Sequence, residues 1–265
     1  MPNVLAIVPI DLERDRFGRP SHVADTIAGQ PIARHTLERL LRIESLGGIV
    51  FVHPPDQDPR PLLEPIDQAR VHCFASPCPP DDRWTRYRRS ARKWALESWR
   101  GGLGAMTCYD ELFPADALVE ALRAHGGDAA LLVGADWCLI DPGLCARVVG
   151  KHIDQPEAMR MAFALGPPGV AGLCLDGSLL EELWTNKSTI GGLVGYKPSY
   201  AQPDPIGRDV CVQTSAEIYS YTGRLIADST RTVDRARSVI ESANGSFPDM
   251  DAQSVTRAAR QFDSE

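Results

Sequence analysis

The first fifty residues constrain the fold more tightly than any other part of the chain. Residues 4–10 read Val-Leu-Ala-Ile-Val-Pro-Ile, a near-continuous apolar run of the kind a strand shows when both faces of a parallel sheet are covered. After a polar, arginine-rich stretch, Ile32, Leu37, Leu40 and Leu41 recur at helical spacing, and Gly47-Gly48 ends the pattern. Residues 49–53, Ile-Val-Phe-Val-His, form a second buried strand. Strand, helix and strand make one βαβ unit, with parallel strands and a right-handed crossover expected.

The same grammar repeats downstream. A helix is expected over 115–124 after Pro114 and a buried strand over 129–133. Asp141-Pro142 starts another helix, since an Asp cap accepts backbone N–H groups and proline suits the first helical position. Strands over 159–165 and 170–175 flank a Gly-Pro-Pro-Gly turn, followed by a helix over 178–184, a short strand over 210–212 and a last helix over 232–242. Leu225-Ile226 is strand-like, and the proline-rich pieces 54–65 and 77–80 read as loops. The series predicts an α/β three-layer sandwich with a mainly parallel mixed sheet. Residues 1–243 make one domain, with 244–265 left as a tail or linker.

Composition narrows the partners. Against 35 Asp and Glu the chain carries 28 Lys and Arg, a net charge of −7, whereas the phosphate backbone of a nucleic acid is held mainly by positive charge. No nucleic acid and no membrane surface is therefore expected as a partner. The N-terminal apolar run lacks the cationic leader of a secretory signal, and no stretch approaches the roughly 18 apolar residues of a membrane span. A soluble, cytoplasmic protein is expected. Seven cysteines without a C-x-x-C pair read as reduced thiols, several of them small buried apolar groups. Segment 83–100 sets Trp84, Tyr87, Ala91, Trp94 and Ser98 on one helical stripe among seven basic residues. It reads as a helix with a solvated basic face, as a substrate contact through Arg86, Arg89 or Lys93, or as a nucleic-acid surface.

Open α/β sheets hold ligands beyond the carboxyl ends of their strands, so the loops that follow strands carry the candidates. Loop 11–20 offers Arg14, Arg16 and Arg19 with Gly18; guanidinium forks match phosphate oxygens, and glycine admits the backbone. Asp11, Glu13 and Asp15 offset that charge, so a phosphate clamp and a self-paired loop are both open readings. Asp136 stands at the exit of strand 129–133, where a carboxylate holds Mg²⁺ on nucleotide phosphates or shapes a turn. Asp141 reads as a helix cap. Asp228 faces a pocket if Ser229 or Thr230 caps the following helix. Two carboxylates suit a hard dication that keeps its waters and the substrate phosphates, although spacing leaves open whether these two meet. Tyr109 and Asp110, after Gly101-Gly102-Leu103-Gly104, are candidates for a nucleoside or sugar pocket. Lys187, Lys197 and Arg208, around the glycine-rich 191–195, are candidate anion contacts. His35 reads as a core or helix-surface histidine, and His53 as a strand-end residue that can face a ligand.

Several pieces lie in a telling order. They are Val8-Pro9 before a basic loop, Ile27-Ala28-Gly29-Gln30-Pro31-Ile32, His35-Thr36-Leu37-Glu38-Arg39, Ala135-Asp136-Trp137-Cys138-Leu139-Ile140-Asp141-Pro142, and the run from Asp228 to Arg237. Together they resemble the sugar cytidylyltransferases, the family of the CMP-Kdo synthetases and the spore-coat polysaccharide type. The resemblance implies a nucleotide-diphospho-sugar transferase (GT-A-like) fold, a Mg²⁺ cofactor and nucleotidyl transfer. In that chemistry a sugar oxygen attacks the α-phosphate of CTP and pyrophosphate leaves. Carried over, it implies Asp136 and Asp228 as metal carboxylates and Arg16, Arg19 and Asp136 as the catalytic group. Pro9, Arg14 and Gln30 join the two arginines around the nucleotide, and Tyr109, Asp110, Lys187 and Arg208 stand on the substrate side. A homodimer is also implied. Arg19 takes the place of the family's lysine, Ala135 that of a glycine, and Trp137-Cys138 that of a small residue and proline.

Three functions follow. The first is Mg²⁺-dependent transfer of CMP from CTP to a sugar or sugar acid. The second is a domain that keeps the fold without the catalysis and binds or regulates. The third, a sugar-nucleotide-dependent glycosyltransferase, is weakened because the middle strand is followed by no Asp-x-Asp.

Overall fold

A computed structural model describes residues 1–64, 69–76, 86, 89–90, 107–112, 115–155, 159–194 and 207–264. The chain opens with β1 (Val4–Pro9), a small hairpin of β2 (Thr26–Ile27) and β3 (Gln30–Pro31), α1 (Ile32–Leu40), β4 (Gly48–His53), α2 (Arg60–Leu63) and β5 (Val71–Ala75). It continues through α3 (Ala115–Ala124), β6 (Ala129–Leu132), α4 (Pro142–Asp154), β7 (Met161–Ala164), β8 (Leu173–Asp176), α5 (Gly177–Thr185) and α6 (Gly191–Val194). Last come β9 (Cys211–Val212), α7 (Ala216–Tyr219), α8 (Thr230–Ser242) and α9 (Ala252–Ser264). Among the described residues no helix is long and apolar enough to cross a membrane.

Seven strands form one sheet in the order β5-β4-β1-β6-β8-β7-β9. Strands β5, β4, β1 and β6 are parallel, as are β7 and β9, while β8 runs against both of its neighbours. The apolar run of β1 is buried from Val4 through Val8, as a strand covered on both faces requires. This is the expected α/β fold with a mostly parallel mixed sheet and flanking helices.

The strand order also fixes where a ligand can sit. From β1 the chain builds outward through β4 to β5, then returns to lay β6 on the other side of β1. Such a reversal leaves a crevice outside the carboxyl ends of the two strands. Two loops leave the sheet there, 10–25 after β1 and 133–141 after β6.

Most expected elements lie within a few residues of the observed ones, and the departures have local causes. Helix α2 forms inside the proline-rich stretch read as a loop, because Pro61 lies in its first turn, where a fixed φ and a missing N–H cost nothing. Leu225 and Ile226 form no strand but a buried irregular segment, in which the Leu225 N–H donates to the Pro168 carbonyl. Gly169, at φ +90°, lets the turn approach that segment, since a Cβ there would lie 2.7 Å from Ile226 Cγ1.

The largest correction concerns 244–265, expected as a tail or linker. A 3₁₀ turn at Phe247–Asp249 leads into α9, which buries Ala252, Val255, Thr256 and Ala259 against the rest of the fold. Arg235 and the Tyr221 hydroxyl each donate to the Asp263 carboxylate at 2.7 Å. The buried Arg39 donates to the carbonyls of Phe247 (2.7 Å) and Met250 (2.6 Å). The apolar face of α9 is built from alanine, valine and threonine, too short and too polar to mark a helix by hydropathy. Of segment 83–100, all but Arg86, Arg89 and Ser90 lies outside the described residues, as do Lys197 and 101–104.

Candidate active site

The loop after β6 is held at several points. Thr36 Oγ1 of α1 donates to the Ala135 carbonyl at 2.8 Å, and one turn later Arg39 donates to the Ile140 carbonyl. The Ala227 N–H donates to the Asp136 carbonyl at 2.9 Å and the Asp141 N–H to the Val170 carbonyl at 2.8 Å. Asp141 caps α4 as expected, accepting from the N–H groups of Gly143 (2.7 Å) and Leu144 (3.1 Å). Its other oxygen accepts from the Ala252 N–H at 2.6 Å and so ties α9 to this loop. Gly134 has no room for a side chain, because a Cβ would lie 2.6 Å from Trp137 Nε1 and 2.7 Å from Asp136 Oδ1. The indole therefore lies beside Asp136 but inside the core, fully buried and tilted against Tyr109 at 5.9 Å. Cys138 is also buried; that burial, with Asp136 adding to it, pushes the thiol up to about 12.

Loop 11–20 folds as a tight hairpin, bridged between Arg14 and Pro20, with Gly18 at φ +71°. Two of its three acids build the turn. Asp15 accepts from the N–H groups of Phe17 and Arg19 and pairs with the Arg19 guanidinium at 2.6 Å. Asp11 accepts from the N–H groups of Glu13 and Arg14 and from Gln57 Nε2. The three arginines then diverge. Arg14 is exposed, Arg19 reaches the backbone carbonyl of Asp228 at 2.6 Å, and Arg16 crosses the crevice to pair with Asp136. Arg89, from the basic segment, donates to the Phe17 carbonyl of the same hairpin.

The backbone bond from the Ala227 N–H to the Asp136 carbonyl brings Asp228 near enough to Asp136 for its charge to act on the Asp136 carboxyl. Ser229 caps α8 in a capping box with Thr232. Asp228 is not thereby released, because the completely buried Arg224 donates to its Oδ2 from Nε (2.9 Å) and Nη2 (2.6 Å) and also pairs with Glu111. Arg224 and Glu111 were not sequence candidates. A signal for Arg224 exists in its position as the lone charge in Gly223-Arg-Leu-Ile-Ala227, four residues before Asp228.

The cluster is strongly polarised. Burial pushes the Asp136 carboxyl above the ordinary range; Arg16 pulls it back and Asp228 adds to the push. Burial alone would lower the pKa of Arg16, yet Asp136, Glu111 and Asp228 together hold it above its ordinary value, and Asp228 and Glu111 do the same for Arg224. Both guanidiniums are fixed cations. Arg16 Nη1, Arg224 Nη1 and Trp137 Nε1 are buried donors without an acceptor in the protein, and the Gln30 side-chain oxygen is a buried acceptor without a donor. A buried polar group left in that state costs about 1–3 kcal/mol, which a complementary ligand or water recovers.

The remaining candidates fall elsewhere. Pro9 ends β1 at the crevice and Gln30 lies in β3. Tyr109 and Asp110 are buried. The Asp110 carboxylate accepts from Thr107 N and Oγ1 and from the N–H groups of Ile190 (2.5 Å) and Gly191 (2.9 Å), joining two chain segments. Lys187 is exposed at the end of α5. Arg208 lines a cavity of about 570 Å³ with Arg147, Lys151, Asp154 and Asp209. This cavity lies along α4 at the β9 edge of the sheet, three strands away from β6 and the loop that carries Asp136. His35 is a core histidine bonded to the Ile27 carbonyl, and His53 bonds the Pro54 carbonyl.

The cation implied by the resemblance can be weighed against these residues. Asp136 and Asp228 come together, but each is already paired with a guanidinium. Among the described residues no three His, Cys, Asp or Glu side chains converge as a metal site. As arranged, the donor set does not fit a hard dication, which needs oxygen ligands available to it on several sides.

No family model matches the chain, and no curated protein matches it. The fold is nevertheless one shared with solved cytidylyltransferases. A cytidylyltransferase from Leptospira borgpetersenii serovar Hardjo-bovis superposes with a TM-score of 0.67 at 13% identity, over 100% of this chain and 96% of that one. CMP:2-keto-3-deoxy-manno-octonic acid synthetase, solved in complex with CTP, gives 0.51 at 11% identity over 91% and 99% of the two chains. Rv0371c from Mycobacterium tuberculosis H37Rv gives 0.51 at 12% identity over 89% and 98%.

Proposed function

We propose that this chain is a nucleotidyltransferase of the cytidylyltransferase type, transferring CMP from CTP to a sugar or sugar acid with release of pyrophosphate. The observation that carries the reading is the convergence of Arg16, Arg19, Asp136 and Asp228 from three distant segments on the crevice between β1 and β6. Such transfer needs little covalent work from the protein. It needs the acceptor oxygen and the α-phosphate held in line and the charge on the departing pyrophosphate neutralised.

In this reading Arg16 and Arg19 exchange their carboxylate and carbonyl partners for phosphate oxygens, with Arg14 at the outer edge of the hairpin. Pro9 and Gln30 flank the nucleoside. Asp136 positions Arg16 before the nucleotide arrives and faces the acceptor afterwards. The thiols of Cys73, Cys138, Cys145 and Cys174, free among the described residues, support a reducing, cytoplasmic setting. A homodimer is the assembly we assign, to be checked by sedimentation.

The test is pyrophosphate release from the four nucleoside triphosphates with a panel of sugars and sugar acids. CTP is expected to be the preferred donor, and Asp136→Asn is expected to lower the rate by about a hundredfold, the scale on which removing one catalytic group acts. Release from none of the four, with no triphosphate binding, would overturn the reading in favour of a domain that keeps the fold without the catalysis.

A further inference from the structure

We propose that Arg16 holds the position a divalent cation would take at Asp136, so that the site is metal-free and receives the triphosphate on guanidinium groups. The inference rests on the nucleotidyltransferase reading and departs from the cation that the resemblance implies.

The charge already present leads to this. Asp136, Asp228 and Glu111 are buried and face the guanidiniums of Arg16 and Arg224, so each carboxylate already has a cation beside it. A dication entering there would meet two fixed positive charges at low effective dielectric, and Asp136 Oδ1 and Asp228 Oδ2 are already taken by N–H donors. Mg²⁺ requires near-octahedral oxygen ligation and gives up its waters reluctantly, so it competes poorly with a tethered guanidinium.

The vacant hydrogen-bonding capacity points the same way. Arg16 Nη1 is a buried donor without an acceptor, on the guanidinium that pairs with the Asp136 carboxylate. Unused donors call for a ligand rich in acceptors, which a phosphate is and a metal cation is not. Arg16 and Arg19 sit on one hairpin that Asp15 and Asp11 brace from within. Arg224 is a positioning residue: wholly buried, it keeps Asp228 neutralised and away from a metal.

Two measurements test this on the intact protein. Equilibrium titration of CTP is run in excess EDTA and again in saturating Mg²⁺. The two dissociation constants are expected to agree within about threefold, and a weakening of about tenfold or more in EDTA, about 1.4 kcal/mol, would overturn the inference. The second is a titration of Mn²⁺, followed by its electron paramagnetic resonance signal, into nucleotide-free protein. Wild type is expected to bind no Mn²⁺ in the millimolar range. Arg16→Ala, which leaves the Asp136 carboxylate without its guanidinium, is expected to gain a site. Mn²⁺ binding by wild type that Asp136→Asn removes would overturn the inference, whatever the fate of the Arg16 variant. If CTP binds under neither condition the nucleotidyltransferase reading falls, and the Mn²⁺ titration of wild type still decides whether Arg16 excludes a cation.

Discussion

Asp141 carries more than a helix cap usually does. One oxygen satisfies two N–H groups at the start of α4 and the other the first N–H of α9, so a single carboxylate joins the site loop to the end of the chain. Asp141→Ala leaves three N–H donors without their partner, two of them buried, and is expected to cost about 2–4 kcal/mol in urea denaturation; a cost below about 1 kcal/mol would contradict this role. Asp110 is the second residue with a distinct signature. Burial pushes its carboxyl up to about 6 from 3.8, against the N–H groups of Thr107, Gly191 and Ile190. The folded state then holds the proton more tightly than the unfolded one. This group's contribution to stability is full below 3.8 and is lost as the pH rises through about 6. Wild type is therefore expected to lose stability relative to Asp110→Asn between these values, by up to about 3 kcal/mol, and a difference independent of pH would contradict it. At this scale Arg16, Asp136, Asp228 and Asp141 were legible, because strand exits and cap chemistry are local. Arg224 and Glu111 were not, since 113 residues separate the two and only the fold brings them together.

Elements were legible in proportion to their apolar content. The continuous runs of β1, β4 and β6 and the stripes of α1, α3 and α8 show themselves by periodicity, and Gly47-Gly48 and Gly126-Gly127 mark their ends. Helix α2 and the irregular Leu225-Ile226 are set by proline geometry and by one glycine contact, which periodicity does not see. Helix α9 was missed because small and polar residues form its buried face. Its weight is testable by ending the chain after Met250. That removes the burial of Val255 and Ala259 and leaves Asp141, Arg235 and Tyr221 without their partners. The loss is expected to be about 4 kcal/mol, or about 10 °C in Tm for a chain of this size. An unchanged Tm would return this segment to the status of a tail.

For the molecule as a whole, the net charge of −7 excludes little about the site, because charge there is arranged by pairs. Arginines from two loops neutralise buried carboxylates at the crevice between β1 and β6, while a second group of basic residues, Arg147, Lys151 and Arg208, lines a cavity at the β9 edge of the sheet. The topology distinguishes the two: the first lies where the strand order reverses and the second does not. The sequence, read without the fold, set Arg208 on the substrate side as an anion contact. CTP binding to wild type, Arg16→Ala and Arg208→Ala, measured side by side by calorimetry, tests the placement of the site most directly. Wild type is expected to bind CTP, with Arg16→Ala weaker by about tenfold or more and Arg208→Ala within about twofold. Loss of binding in Arg208→Ala with Arg16→Ala unaffected, or no CTP binding by wild type, would contradict it.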